Sequence, residues 1–273
     1  MAVVVSWNVA GRVRAVGEQA RALADRPADV VALQEVRASA RGAWRAALEA
    51  LGFVHQHYSA PPAAGTAERR LGVLIAARHG LEPLPPVDGL PWPERYAAAH
   101  VPQLGVDVHV LHAPISAKAE RVKVITLELV AAALASPPHP PTPAVLVGDF
   151  NTPAYESREG EVRSFARTRS GNLREGYDER HDVAELGIVP GLAREGGWTD
   201  AFRAVHGYGA RDRSWVFAHG KFGYRLDHVL VRGVHVAACA YEHAWREAGL
   251  SDHSAVWADI VAADAGPAKT KKR

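Results

Sequence analysis

Asp149 and Asn151 place a carboxylate and a carboxamide two residues apart in the run Leu-Val-Gly-Asp-Phe-Asn-Thr-Pro over 146–153. The carboxylate can take a proton and the amide both donates and accepts, which is equipment for orienting a water molecule and deprotonating it. In extended geometry residues i and i+2 share one side of a strand, so both groups would face the same space. The competing reading is a strand end whose Asp-x-Asn turn bonds only nearby backbone. Four other strand ends carry polar groups of the same kind. They are Asn8 in Ser-Trp-Asn-Val, Glu35 in Ala-Leu-Gln-Glu-Val, Asp227 in Arg-Leu-Asp-His-Val-Leu, and the Asp252-His253 pair in Leu-Ser-Asp-His-Ser. A lone carboxylate at such a place is usually solvated, or guards a strand edge against aggregation. Five such ends in one chain make a shared site the stronger reading.

The elements that must position these groups are legible from periodicity. Residues 2–8 form an apolar run ending in Asn8, and 28–33 a second one running into Gln34 and Glu35. Between them, Val16, Ala20, Leu23 and Ala24 predict a helix over 14–26, stopped by Pro27. Trp44, Leu48 and Leu51 share a face of a second helix, with Gly52 at its C-terminal cap. Strands are expected at 53–58, 71–77, 97–101, 105–111, 213–217, 225–231, 234–242 and 254–261, and the 146–153 stretch, preceded by apolar Ala144 and Val145, reads as a buried strand running into a turn stopped by Pro153. The longest helical pattern spans 119–135, with Val122, Ile125, Leu129 and Ala132/Ala133 on one face. Residues 136–143 hold five prolines and read as a stiff surface connector. The polar segment 156–195 reads as a surface excursion with helical pieces. Strands and helices alternate in both halves, which argues for sheet covered by helices.

Composition narrows the classes further. Of 273 residues, 48% are apolar, enough for a sizeable core, and the net charge of +2 demands no nucleic-acid partner by itself. One cysteine, Cys239, excludes an internal disulfide and suits a reducing compartment. No secretory leader pattern opens the chain and no stretch approaches a membrane span, so a cytoplasmic, membrane-free protein is expected. A single domain over 1–263 with a basic, disordered tail over 264–273 is the expected organisation.

The ordered motifs Ser-Trp-Asn-Val-Ala-Gly, Leu-Gln-Glu-Val, Gly-Asp-Phe-Asn, Arg-Leu-Asp-His-Val-Leu-Val and Ser-Asp-His-Ser-Ala-Val resemble the endonuclease/exonuclease/phosphatase superfamily from Ser6 to about Ile260. Gly197 to Arg203, Ser214-Trp215 and Tyr224 to Asp227 are most similar to the exonuclease III and abasic-site endonuclease branch. The resemblance implies an α+β, four-layer αββα sandwich of two packed sheets flanked by helices, DNase I-like, with the active site at one end. It implies Mg²⁺, with Mn²⁺ as an alternative, held chiefly by Glu35 with Asn8 and Asp252 beside it. Asp149 would activate the attacking water, with Asn151 holding the phosphate or Asp149. His253 would contact a non-bridging phosphate oxygen, and Asp227 would fix its tautomer and favour the imidazolium. Arg225, Trp215 and Tyr224 would bind substrate.

Two departures bear on substrate class. His112-Ala113-Pro114 stands where the abasic-site branch has Tyr before Pro, and is closer to the DNase I and phosphatase branches, where the His serves as an acid or phosphate ligand. Asn8-Val9-Ala10 lacks the Asp or Asn that several relatives carry two residues after the first Asn, which argues against a second metal there. The resulting expectation is a monomeric, metal-dependent phosphodiesterase acting on DNA. A hydrolase of small-molecule, lipid or RNA phosphate esters is the alternative, and a non-catalytic nucleic-acid-binding module is a third. Between 201 and 232, five Arg and one Lys against two Asp are interleaved with six aromatic residues. That stretch reads equally as a nucleic-acid surface or as ordinary strand aromatics with a basic rim. His55 and His57 read as a solvated strand face, and His228 as a core histidine.

Overall fold

The computed structural model describes residues 1–62, 70–115, 121–135, 142–217 and 220–262. The basic tail and most of the proline-rich connector lie outside these residues. Strands run in chain order β1 (Ala2–Asn8), β2 (Val30–Arg37), β3 (His55–Tyr58), β4 (Leu71–Ala77), β5 (Glu82–Pro83), β6 (Tyr96–Val101), β7 (Val106–His112) and β8 (Ala144–Asp149). They continue as β9 (Tyr155–Glu156), β10 (Val162–Arg163), β11 (Thr199–Asp200), β12 (Trp215–Phe217), β13 (Phe222–Tyr224), β14 (Asp227–Arg232), β15 (Val234–Glu242) and β16 (Ala255–Ala262). Helices are α1 (Val16–Ala24), α2 (Arg41–Ala50), α3 (Val122–Ala135), α4 (Glu179–Leu186), α5 (Leu192–Glu195), α6 (Ala201–His206) and α7 (His243–Glu247).

Two six-stranded sheets have the orders β15-β16-β1-β2-β4-β3 and β11-β14-β8-β7-β6-β5. Each is built around one parallel pair, β1–β2 and β7–β8, whose crossovers carry α1 and α3, with antiparallel strands outside. Alternation along the strands separates three apolar layers. Val4, Ala32, Ile75, Val108, Val147 and Val256 fill the space between the sheets with small or β-branched side chains. Their neighbours Val5, Trp7 and Leu33 face outward under α1 and α2, packing with Leu23, Trp44, Leu48 and Phe53. On the other side Leu111, Leu146 and Phe150 pack with Leu127 and Leu134 of α3, and with Ile188 and Trp198. The architecture is the expected αββα sandwich. Because both faces of the central strands are covered, their sequences are apolar throughout instead of alternating.

This topology gathers the polar strand ends. Parallel strands β1, β2, β7 and β8 finish at one end of the sandwich, with Asn8, Glu35, His112 and Asp149 at or near their last residues. The antiparallel strands β14 and β16 begin at that same end, with Asp227 opening β14 and His253 just before β16. Gly148 lets β7 and β8 close up beside the site. Its φ is +138°, and a Cβ there would sit 1.9 Å from the Leu111 carbonyl oxygen.

Two expectations about elements need correcting. The buried residues of α3 are Val122, Lys123, Val124, Thr126, Leu127, Val130 and Leu134; of the expected stripe only Val122 is among them, with Ile125 and Leu129 half-buried and Ala132/Ala133 exposed. The helix is apolar nearly all round, so periodicity could not choose a face, and the pairing of Lys123 with Glu185 at 2.7 Å accompanies the observed one. The segment 156–195 is more than a surface excursion, since Ser164, His181, Asp182 and Glu185 are buried and it brings Phe165 and Tyr177 to the site.

Candidate active site

A cavity of about 430 Å³ opens at the end of the sandwich where the strand termini meet. Glu35, His112, Asp149, Asn151, Asp252 and His253 supply its polar lining, and Phe165, Tyr177, Trp215, Tyr224 and Leu226 a largely apolar wall.

Asp149 ends β8 and is buried. Its Oδ1 accepts from the backbone N–H of Asn151 at 3.0 Å, and its Oδ2 accepts from Asn8 Nδ2 at 3.0 Å. Asn151 has left the strand: its φ is +50°, and its Nδ2 donates to the Ala113 carbonyl at 2.8 Å. Asp149 and Asn151 therefore share the cavity through a left-handed turn rather than extended alternation. The local Asx bond and the shared site occur together.

His253 sits between two carboxylates. Its Nδ1 is 2.8 Å from Asp227 Oδ2, and its Nε2 is 3.7 Å from Asp149 Oδ2. Burial works against its charge, but Asp227 and Asp149 outweigh it and hold the imidazole protonated. Burial likewise pushes the Asp149 carboxyl well above the usual range; the His253 charge pulls it back while Asp227 opposes that pull. The loop is fixed from several directions. Trp7 Nε1 donates to the His253 carbonyl at 3.1 Å, Ser251 Oγ donates to the Asn8 carbonyl at 2.6 Å, and Ser214 Oγ accepts from the Asp227 N–H at 3.0 Å.

Glu35 reaches the cavity through a bulge in β2, where the register against β4 shifts between Leu33 and Val36. Its φ is +58°. Ala10 at +55° and Asn151 at +50° are the other left-handed non-glycine residues beside the site. Such conformations cost on the order of 1–3 kcal/mol and cluster where function needs them.

Asn8 differs from the expected oxygen ligand. Its Oδ1 accepts from the Ala10 N–H at 3.0 Å, so its NH₂ faces Glu35 Oε1 at 3.2 Å and Asp149 Oδ2 at 3.0 Å. It joins two carboxylates as a donor. Asp252 is exposed, and its Oδ2 accepts from Trp215 Nε1 at 3.2 Å.

Arg225 is the clearest departure. It is 5% exposed and lines a separate pocket, not the cavity. Its guanidinium donates to Glu156 at 2.8 and 2.7 Å and to Asp200 at 2.7 Å, in a buried network that Arg203 completes. Its Nε and Nη2 are bound to carboxylates of the fold and its Nη1 is buried without a hydrogen-bond partner, so it is not positioned to bind substrate in the cavity. His228, next to Asp227, is fully buried, stacks on Phe150 and bonds the Thr152 carbonyl at 2.9 Å, as a core histidine should.

His112 Nε2 lies 3.6 Å from Glu35 Oε1 and 3.9 Å from Asp149 Oδ2. Buried Arg95 contacts its ring, with Nη1 3.0 Å from Nε2. Burial, then the Arg95 charge, depress the imidazole pKa strongly, so His112 is neutral. Arg95 was not foreseen from sequence, nor were Lys123, Phe165 and Tyr177. A lysine inside the apolar run of α3 was the available signal for Lys123, whose Nζ donates to Glu185 at 2.7 Å and to the Asn151 carbonyl at 2.8 Å. The other three carry no local pattern.

The donor set suits a hard divalent cation. Asp149, Asp227 and His253 bring side-chain atoms within 4.8 Å of one another, of which the protonated His253 has no lone pair to give and only the two carboxylates could serve a cation; Asp227 Oδ1 is buried without a hydrogen-bond partner. Glu35 and Asp252 add carboxylates on the same cavity. That much negative charge would repel a phosphate ester unless a cation offset it.

The model of the Endonuclease/Exonuclease/phosphatase family matches residues 5–253. No curated protein sequence matches the chain significantly. Among solved structures, an AP endonuclease from Archaeoglobus fulgidus is 20% identical with a TM-score of 0.72, over 95% of this chain and 99% of that one. The 3'-5' exonuclease NExo from Neisseria meningitidis is 23% identical with a TM-score of 0.69, over 94% and 99%. A Neisseria NExo structure described as a 3' phosphatase bound to product DNA hairpin is 22% identical with a TM-score of 0.70, over 96% and 100%. These likenesses establish a shared fold. Among the described residues no helix is long and apolar enough to cross a membrane.

Proposed function

The chain belongs to the endonuclease/exonuclease/phosphatase family, whose members hydrolyse phosphoric esters, and from that premise we propose that it is a Mg²⁺-dependent hydrolase of DNA phosphodiesters. The observation that carries this reading is that one cavity is lined by Asp149 and His253, with Asp227 buried behind His253, and by the aromatic rings of Trp215 and Tyr224. The first three handle a phosphate; the rings fit the flat, weakly polar body of a nucleoside.

His253, kept charged by Asp227, donates through Nε2 to a non-bridging phosphate oxygen. Asp149 accepts the proton of a water molecule as that water's oxygen bonds to phosphorus and the opposite ester bond breaks. The N–H of Asn151 and the amide of Asn8 hold the Asp149 carboxylate in place for this. Asn151, tethered to the Ala113 carbonyl, presents its carboxamide to the phosphate. Mg²⁺, with Glu35 and Asp252 as the residues that would hold it, supplies Lewis-acid stabilisation of the charge on the leaving oxygen. Neutral His112 lies beside Glu35 and Asp149 and is not an acid, because burial and then Arg95 disfavour its charged form.

The test is cleavage of an end-labelled duplex carrying one abasic site, with Mg²⁺ and with chelator, alongside Asp149→Asn. Metal-dependent incision at the lesion supports abasic-site endonuclease activity, and progressive shortening from an end supports exonuclease activity. A duplex and a single-stranded oligonucleotide that both stay intact overturn the DNA reading. His112 in place of the tyrosine supports a second reading, hydrolysis of a smaller phosphate ester, which turnover of a non-nucleic phosphodiester would establish.

A further inference from the structure

Beyond the cavity, the hairpin β12–β13 belongs to neither large sheet. Cross-strand partners Trp215 and Tyr224, then Phe217 and Phe222, put four aromatic rings on one face. Trp215 and Tyr224 are 6.2 Å apart and 7° from parallel; Phe217 and Phe222 are 5.6 Å apart at 28°. Phe217 also lies 5.3 Å from Trp215 and 5.8 Å from Tyr224, with interplanar angles of 29° and 23°. The inner pair lines the cavity, while the outer pair is exposed, Phe217 at 38% and Phe222 at 58%.

Cross-strand aromatic pairs stabilise a small hairpin, which accounts for the pairing. It does not account for leaving the two outer phenyl rings in water as a continuation of the cavity wall. Exposed Arg211, Arg213 and Lys221 flank the same hairpin, with Arg213 Nη1 bonded to the Lys221 carbonyl at 3.1 Å. A row of near-parallel rings bordered by cations matches a chain of flat bases joined by phosphates.

We propose that this aromatic ladder is a stacking surface for unpaired nucleobases of the strand whose phosphate occupies the cavity, so that single-stranded or frayed substrate is taken in preference to closed duplex. The inference rests on the nucleic-acid reading and adds a substrate class to it. A base inside a duplex has both faces covered by its neighbours, so an unpaired base offers Phe217 and Phe222 a face that an internal paired base cannot.

The test measures fluorescence anisotropy in chelator, where no hydrolysis occurs. The probes are a labelled oligothymidylate and a base-free deoxyribose-phosphate oligomer of equal length. Wild type should bind the oligothymidylate about tenfold or more tightly than the base-free oligomer, the range expected for base–aromatic stacking. The double variant Phe217→Ala/Phe222→Ala should lose that gap while still binding the base-free oligomer, and Phe217→Tyr/Phe222→Tyr should restore it. A purely structural hairpin would alter stability without regard to the bases. Retention of the gap in the alanine variant overturns the proposal, as does its absence in wild type. Cleavage of the oligothymidylate by wild type with Mg²⁺ separates the two readings. Cleavage without a gap removes only the ladder, whereas neither binding nor cleavage removes the nucleic-acid reading with it.

Discussion

Asp227 Oδ2 lies 2.8 Å from His253 Nδ1, which orients the imidazole with its Nε2 3.7 Å from Asp149 Oδ2. The Asp227 carbonyl is itself pinned by the Tyr241 hydroxyl at 2.6 Å, so the carboxylate has little freedom to follow a misplaced ring.

Asp227→Asn should lower kcat by about 10²–10⁴ with little change in KM, by analogy with other buried Asp–His pairs. Asp227 raises the His253 pKa, so its removal lowers it. The charged fraction falls as pH rises through that value, so the alkaline limb of the kcat profile should move to lower pH. Steady-state rates on an oligonucleotide across pH check both statements. An unmoved limb would show that His253 does not act as the imidazolium.

Asp149→Asn should lower kcat by about 10²–10⁴, the usual contribution of a positioned general base. Binding measured in chelator should be as tight or tighter, because a carboxylate facing a phosphate opposes binding in the ground state. Loss of binding together with rate would make Asp149 a binding group instead.

Chelation should abolish turnover, and added Mg²⁺ should restore it. Glu35→Gln should raise the Mg²⁺ concentration needed for half-maximal rate by on the order of 10–100-fold, with the maximal rate partly recovered at excess metal. The readout is rate against Mg²⁺ concentration. An unchanged midpoint would remove Glu35 from the metal's neighbours.

Arg225→Met should destabilise the fold by about 3–5 kcal/mol, since Glu156 and Asp200 would be left as buried, unpaired charges. At permissive temperature KM should stay close to wild type, because the guanidinium lies outside the cavity. Urea unfolding and kinetics on the same preparation decide this.

The same network sets a pH dependence of stability. Burial alone would raise the Glu156 carboxyl pKa, but Arg225 and Arg203 hold it down at about 2. The folded value is below the unfolded value of about 4.3, so this contribution is complete above the latter and is lost as pH falls through the former. Glu156→Gln should flatten the urea midpoint between about pH 4.5 and 2. An unchanged slope there would assign acid unfolding to other carboxylates.

The sequence by itself determined the strand runs, the order of polar groups at their ends and the family those motifs indicate. These are local signals: apolar residues at a spacing of two or four, and Gly, Pro or Asx at a turn. The tertiary structure alone decided how each polar group is used. Asn8 and Glu35 are paired by a bulge and a backbone N–H that no spacing reveals. Arg225 and Asp227 share a strand motif, yet the arginine serves the fold and the aspartate the site, because Glu156 and Asp200 take the one and His253 the other. Lys123 is buried against Glu185, 62 residues away, a pairing that the apolar pattern of α3 does not announce. A side chain's role depends on which partner removes it from water, and those partners are brought together only when the sheets pack.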